Sequence, residues 1–135
     1  MSTRTTFLSR LIGLYLILIS LSMVTHKHAT VETMTALIYN PAALYVIGAF
    51  AMAAGLAMIL GHNVWSGGVL PVVVTLTGWL MLTKSVLLLF LSPQAASEFF
   101  LVGLHFEQLF YFYGVFALIL GVYLTYSGFR AANAK

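Results

Sequence analysis

Four long apolar segments separated by short polar stretches dominate the chain. They cover about residues 7–24, 41–60, 69–91 and 104–127. A helix of roughly 20 mainly apolar residues crosses about 30 Å of hydrocarbon. Backbone groups in lipid must be hydrogen-bonded within their own segment, and these uninterrupted runs lack the alternation of barrel strands. The pattern therefore predicts an all-α polytopic membrane protein, with residues 1–135 forming a single four-helix transmembrane bundle.

Prolines and capping residues mark several helix boundaries. Asn40-Pro41 supplies an N-cap followed by proline at the first helical position, and Gly61 follows the same segment as a C-terminal cap. Ser92-Pro93 ends the third segment because proline cannot continue a helix that precedes it. The second segment is the best delimited of the four.

The first segment has an alternative interpretation as a signal peptide. Arg4 and Arg10 precede an apolar stretch that is short enough for the hydrophobic region of such a signal. No small-x-small cleavage pattern follows it, and cleavage would leave three spans with the termini on opposite sides. We therefore favour a retained span.

The cations predict the orientation in the membrane. Arg4 and Arg10 precede the first segment, Arg130 and Lys135 follow the fourth, and only Lys27 falls in an outward connection. Because cytoplasmic loops carry an excess of lysine and arginine, both termini are predicted in the cytoplasm.

The two longer connections each carry an apolar face. The face at helical spacing in the first connection consists of Val31, Met34, Leu37 and Ile38, and the second contains Phe99, Phe100, Leu101 and Leu104. Each pattern predicts a short interfacial helix in an outer loop. If each half of the chain consists of a span, an interfacial helix and a second span, the two halves form an internal repeat. Residue identity between the halves is too low to establish one.

Composition excludes several function classes. Hydrophobic residues make up 61% of the chain and charged residues only 7%, far from the usual quarter in soluble proteins. The net charge of +3 is concentrated at the chain ends. This placement is typical of cations that set the orientation of a membrane protein and not of a nucleic-acid site. Without cysteine there is no disulfide, thiolate nucleophile or cysteine-ligated metal.

An intramembrane polar cluster is the leading candidate for chemistry. Lys84 lies inside the third segment, where a charge costs about 2.5–3.5 kcal/mol near the centre. Either the aliphatic part of its side chain extends to the membrane interface and keeps the ammonium group in water, or the ammonium group pairs with Glu107. Glu107 is the one acidic residue inside or next to a span. Thr77 lies on the same helix face as Lys84, and Tyr111 lies on the same helix face as Glu107. The predicted cluster is therefore Lys84, Glu107, Tyr111 and Thr77.

Small residues predict helix contacts. Gly48, Ala51 and Gly55 give small-xxx-small spacings in the second segment, and Gly114 and Gly121 lie on one face of the fourth. Such residues allow the backbones of neighbouring helices to approach closely. The partner is either another helix of this chain or a second copy in a homo-oligomer.

Histidines on the outer side form a weaker candidate site. His26, His28 and His105 are predicted at the membrane level of Glu107, and these ligand types suit zinc or copper. However, residues two apart on a helix point in nearly opposite directions, so His105 and Glu107 cannot bind one ion while that segment is helical. We therefore predict no metal or other cofactor.

One stretch carries a family resemblance. Gly61-His62-Asn63-Val64-Trp65, followed by Thr-Leu-Thr-Gly-Trp-Leu at 75–80, resembles a pattern of uncharacterised small bacterial inner-membrane proteins with four helices. The resemblance is confined to the middle of the chain. It implies a bacterial inner membrane and carries no assigned activity.

Three function classes follow. The first is a non-enzymatic accessory subunit or small carrier of an ion or lipid-like molecule, built around the polar cluster. The second is a membrane enzyme or redox or metal-binding protein that uses the outer histidines and Glu107, and it lacks a recognised catalytic spacing or phosphate loop. The third is a ligand-free assembly factor. The expected partners are the lipid bilayer and a homo-oligomer or larger membrane complex, with no nucleic acid.

The orientation generates a first prediction. Reporter proteins fused at the N-terminus and at the C-terminus should both read a cytoplasmic location, because the terminal cations outweigh Lys27. The measurement is the activity of a pair of reporters, one active only inside and one only outside. An outside C-terminus would contradict the four-span topology.

Overall fold

The computed structural model describes residues 2–134, so that Lys135, one of the cations used to predict orientation, lies outside the described residues. Helix makes up 85% of the structure, and residues 2–134 contain no strand. The helices, in chain order, are α1 (Thr3–Thr25), α2 (Lys27–Ile38), α3 (Pro41–Gly61), α4 (Val69–Phe90), α5 (Pro93–Ser97), a π-helical segment (Glu98–Gly103) and α6 (Phe110–Asn133). Four of them, α1, α3, α4 and α6, are long and apolar enough to cross a membrane. The predicted all-α class is confirmed.

Side-chain caps explain where two of the long helices begin. The Ser2 hydroxyl accepts a hydrogen bond from the Thr5 backbone N–H at 3.2 Å, so α1 begins several residues earlier than the apolar pattern indicated. Asn40 accepts from the Ala43 N–H at 3.1 Å and Pro41 occupies the first helical position of α3. Each cap satisfies a backbone donor that has no partner within the helix.

The fourth long helix differs from its predicted span of 104–127. It begins only at Phe110, because the backbone of His105 has a φ of 49° and thereby leaves the right-handed helical path. Before this turn the chain follows the π-helical segment, which the sequence pattern did not reveal. Glu107 consequently lies in an exposed turn ahead of α6 and not on that helix.

Backbone contact through glycine joins α1 and α6 as an antiparallel pair. A Cβ atom on Gly13 would collide with the Thr125 hydroxyl, and one on Gly121 would lie 2.9 Å from the Gly13 carbonyl oxygen. The Ser9 hydroxyl donates to the Leu124 carbonyl oxygen at 2.6 Å across the same interface. The two helices approach this closely because neither glycine carries a side chain.

The second antiparallel pair, α3 and α4, is built in the same way. A Cβ atom on Gly48 would lie 2.9 Å from Leu89 Cγ, and one on Gly55 would lie 2.9 Å from the Leu82 backbone nitrogen. Ala51, the third small residue predicted for packing in this helix, is half-buried. These contacts are between helices of one chain.

The two pairs meet mainly through α1 and α4. One cluster surrounds Leu70, Val74 and Leu124 and includes partly buried residues from all four long helices, namely Leu8, Ile12, Leu16, Met58, Val73 and Leu120. We call this end of the molecule the terminal side, because it holds the start of α1, the end of α6 and the connection 62–68. The other end, the connector side, holds α2 and α5 and a second cluster around Ile38, Leu44 and Ala96.

The glycine contacts generate a second prediction. Gly55→Leu and Gly121→Leu should each destabilise the protein by about 1–3 kcal/mol or more, because the new side chain must push two backbones apart. The measurement is thermal unfolding in detergent. Gly61→Leu is the matched control, since no atom lies within 4 Å of a Cβ atom at Gly61. Equal melting temperatures for all three variants would contradict the packing.

Candidate functional site

Lys84 and Glu107 do not form an ion pair in this structure. Both side chains are exposed, Lys84 on α4 and Glu107 in the turn before α6. Among residues 2–134, the only basic and acidic side chains within 4 Å of each other are His28 and Glu32, at 3.5 Å, and this contact is an ion pair only when the imidazole is protonated. The connector side thus lacks the charge pair that would have anchored the predicted cluster.

The two hydroxyl residues of that predicted cluster make contacts elsewhere. Thr77 donates to the Val73 carbonyl oxygen of its own helix at 2.9 Å. Tyr111 is 52% exposed, and its ring lies 5.0 Å from the Lys27 ammonium group. This geometry is a cation–π contact, which binds the Lys27 charge to the start of α6.

The three histidines considered as metal ligands are all exposed. His26 Nδ1 lies 2.9 Å from the neighbouring Thr25 hydroxyl, while His28 contacts Glu32. His105 lies in the left-handed turn before α6. Within the described part of the chain, no three histidine or acidic side chains are grouped closely enough to hold a metal ion.

A buried histidine forms a polar centre on the opposite, terminal side. His62 directly follows α3 and is only 3% exposed. Its Nε2 atom lies 2.8 Å from the Thr5 hydroxyl of α1, and its Nδ1 atom lies 3.2 Å from the Thr75 hydroxyl of α4. One imidazole ring therefore connects three of the long helices.

The Thr75 hydroxyl determines which nitrogen of His62 carries the proton. It donates its single proton to the Val64 carbonyl oxygen at 2.9 Å and accepts from the Val64 N–H at 3.0 Å. It can therefore only accept from His62, which assigns a proton to Nδ1; in the neutral ring Nε2 then accepts from the Thr5 hydroxyl. A neutral imidazole satisfies every hydrogen-bonding group of the network.

The same network attaches the connection 62–68 to the first turn of α1. Ser2 Oγ lies 2.8 Å from the Thr5 hydroxyl, and the Arg4 guanidinium donates to the Gly61 carbonyl oxygen at 3.4 Å. In the sequence, His62 lies in the polar stretch between the second and third apolar segments, with no sign of this centre. Its partners are 57 and 13 residues away along the chain, and no local spacing relates them.

Arg10 occupies the other flank of α1, facing α6. Its Nε atom donates to the Gly128 carbonyl oxygen at 3.2 Å, and its guanidinium carbon lies 4.3 Å from the centre of the Phe129 ring. These contacts hold the guanidinium plane in one orientation. Its hydrogen bond to Gly128 uses Nε, and the N–H groups of both terminal nitrogens remain as donors.

Two open grooves flank the first turns of α1. A groove of about 340 Å³ is lined by Thr3, Thr6, Phe7, Arg10 and Ala132. A second groove of about 400 Å³ is lined by Ser2, Thr3, Arg4, Gly61, His62 and Val64. Each groove combines one arginine with hydroxyl groups at the start of a helix.

Charge is distributed unequally between the two ends of the molecule. The chain has three acidic side chains, Glu32, Glu98 and Glu107, and all of them lie on the connector side. Arg4 and Arg10 lie on the terminal side with no acidic side chain to neutralise them. The grooves of the terminal side are therefore electropositive.

The histidine centre generates a third prediction. Thr5→Val preserves the shape of the side chain but leaves the buried Nε2 atom without a donor, which should cost about 1–3 kcal/mol of stability. Thr83→Val is the matched control, because the Thr83 hydroxyl is exposed and bonds only to the Trp79 carbonyl oxygen of its own helix. Thermal unfolding in detergent measures the stability of both variants. A Thr5→Val variant as stable as Thr83→Val would contradict the network.

The chain matches no protein-family model, no curated protein and no solved structure. The inner-membrane location implied by the Gly61-His62-Asn63-Val64-Trp65 pattern therefore rests on that sequence pattern alone.

Proposed function

We propose that the protein is a multi-pass membrane protein in which α1, α3, α4 and α6 cross the bilayer, with α2 and α5 in the interface on the connector side. The four helices contain 21 to 24 residues, enough to cross the hydrocarbon. Large apolar side chains lie on their outer faces, among them Phe50, Leu60 and Phe90, which are 75%, 84% and 82% exposed. Lipid is the solvent that suits such a surface.

We further propose that the terminal side faces the cytoplasm of a bacterium and that the membrane is its inner membrane. Arg4, Arg10 and Arg130 support this orientation through the usual excess of cations in cytoplasmic segments. The cytoplasmic leaflet is the one rich in anionic lipids, and basic grooves between helices on that side suit their headgroups.

The function that we propose is non-enzymatic binding of an anionic phospholipid at the terminal side, as expected of a small lipid carrier or a lipid-anchored accessory subunit. The observation that supports it best is the pair of grooves beside α1, each with an arginine and hydroxyl groups, on a side without acidic side chains. A guanidinium group held in a fixed plane matches the geometry of a phosphate group.

The shape of the grooves favours a lipid over an enclosed small molecule. Their volumes of about 340 and 400 Å³ are at the low end for ligand sites, and both are open to the exterior. Phe7, which lines the first groove, is 62% exposed beside Arg10. A phospholipid whose phosphate binds Arg10 then lays its acyl chains over the apolar surface of α1.

The enzyme alternative draws no support from these contacts. The hydroxyls of Thr5 and Thr75 that contact His62 are only 2% and 1% exposed, so no substrate can reach them, and no carboxylate lies among the hydrogen-bond partners of the ring. The outer histidines are exposed and separate. Binding without chemistry is the simpler use of this arrangement.

The proposed function generates a fourth prediction. The protein in phosphatidylcholine nanodiscs should unfold at a higher temperature when phosphatidylglycerol is added, because a hydrogen bond from the Arg10 guanidinium to the lipid phosphate is worth about 1.5–3 kcal/mol and forms only in the folded state. Arg10→Gln should lose most of this gain, and raised salt concentration should reduce it in the wild type.

Arg130→Gln is the control for net charge. Arg130 is exposed near the end of α6 and lines neither groove, so this variant should keep the response to phosphatidylglycerol. An equal loss in both variants would show a general attraction of cations to the membrane, and no response in the wild type would overturn lipid binding at this site.

A further inference from the structure

The elements of the two halves of the chain occur in the same order with similar lengths. α1 and α4 contain 23 and 22 residues, and α3 and α6 contain 21 and 24. Between them, α2 with 12 residues corresponds to α5 and the π-helical segment, which contain 5 and 6. Each half is therefore a long helix, a short helical connector and a second long helix.

The buried positions of the first helix in each half coincide at a constant offset of 65 residues. The buried residues of α1 are Thr5, Thr6, Ser9, Gly13 and Ser20. The residues 65 positions later, all buried in α4, are Leu70, Pro71, Val74, Gly78 and Ser85. Gly13 and Ser20 recur as the same residue types, and the two helices bury the same face.

The second helices coincide at an offset of 66 residues. The buried residues of α3 are Leu44, Gly48 and Gly55, and their counterparts, buried in α6, are Phe110, Gly114 and Gly121. Residues 45–55 and 111–121 also share the pattern Tyr-x-x-Gly-x-Phe-Ala-x-x-x-Gly. The two shared glycines lie where the helices pack, whereas the shared tyrosine and phenylalanine are exposed. The low overall identity between the halves hides this repeat in the sequence alone.

The contacts between helices repeat with the same offsets. Gly55 packs on Leu82 of α4, and Gly121 packs on Ile17 of α1. Ile17 and Leu82 are 65 positions apart, so each contact is the counterpart of the other.

Two further contacts follow the same rule. Gly48 packs on Leu89, and its counterpart Gly114 packs on Val24, which lies 65 positions before Leu89. Both antiparallel pairs are therefore built from one set of contacts used twice.

From these correspondences we propose that α1–α3 and α4–α6 are two copies of one membrane unit related by two-fold pseudo-symmetry, and that the surface each copy presents fits a second copy of the same unit. α1 packs on α6 and α4 packs on α3, so each pair takes one helix from each copy. Each copy thus covers the apolar face of the other. The chain has the architecture of a homodimer whose two subunits are fused through the connection 62–68.

The pseudo-axis runs parallel to the long helices. α1 contacts its own counterpart α4, and α2 contacts its counterpart α5, as elements on a two-fold axis must. The starts of α1 and α4 both lie on the terminal side. The two copies therefore point the same way, as in repeat proteins whose axis follows the membrane normal.

One chemical difference between the copies involves the polar groups of the terminal side. Arg10 and its counterpart Thr75 occupy the same position in the unit, as do Gly128 and its counterpart His62. In one interface Arg10 donates to the Gly128 carbonyl oxygen, and in the other Thr75 contacts the His62 ring. The arginine groove and the histidine centre are two versions of one ancestral interface. This inference does not depend on lipid binding.

Exchange of residues 45–55 with residues 111–121 in the full-length chain tests the equivalence. Because the two segments occupy matching environments, the exchanged protein should remain monodisperse in detergent, with a melting temperature within about 5 °C of the wild type. The control places the sequence of residues 111–121 at 46–56, which rotates the glycines by about 100° away from α4. That control should unfold or aggregate. An exchanged chain that is as unstable as the control would overturn the proposal.

Paired cysteines provide a second measurement that does not require the exchanged chain to fold. The chain has no native cysteine, so Gly48→Cys with Leu89→Cys and Gly114→Cys with Val24→Cys can be oxidised in membranes without background. Both pairs should cross-link to a similar extent. Cross-linking of only one pair would overturn the two-fold relation.

Matched controls keep one cysteine and move the other to the exposed face. Phe50→Cys with Leu89→Cys and its counterpart, Phe116→Cys with Val24→Cys, use side chains that are 75% and 61% exposed. Neither control should cross-link. Efficient cross-linking of these controls would show that the helices rotate freely, which also contradicts the proposed packing.

Discussion

The architecture depends on direct contact between helix backbones at glycine. Gly13 meets Gly121 in one pair of helices, and Gly55 meets the Leu82 backbone in the other. Dispersion forces fall off steeply with distance, so close backbone contacts along the length of a helix contribute strongly to holding each pair together. The exposed outer faces, rich in phenylalanine and leucine, contribute little to holding the pairs together.

Polar groups act where the pairs must be joined to each other. Thr5, His62 and Thr75 connect α1, the end of α3 and α4 through a fully satisfied network at the terminal side. Buried hydrogen bonds are directional, and a missing partner is costly, so the network specifies one relative placement of the helices. It also holds the connection 62–68 against α1 and thereby shapes the groove beside Arg4.

The candidate site could be predicted only in part. Gly48, Gly55, Gly114 and Gly121 stood out because small residues at three- and four-residue intervals mark one helix face. Gly13 has no glycine or alanine at such an interval that marks its face, and Gly128, which continues the seven-residue spacing of Gly114 and Gly121, lies just beyond the predicted span of 104–127. Lys84 and Glu107 attracted notice as charges in apolar surroundings, yet the left-handed turn at His105 removes Glu107 from α6. The groove residues carried no local pattern that distinguished them from ordinary helix-flanking residues.

The sequence by itself determined the helical class, the number of long helices and most of their boundaries, because apolar run length, caps and prolines act over a few neighbouring residues. Only the tertiary structure decided which helices pair, since α1 and α6 meet through residues more than 100 positions apart. It also decided that His62 is buried between Thr5 and Thr75, because burial depends on the surfaces that converge on a residue and not on its neighbours in the chain.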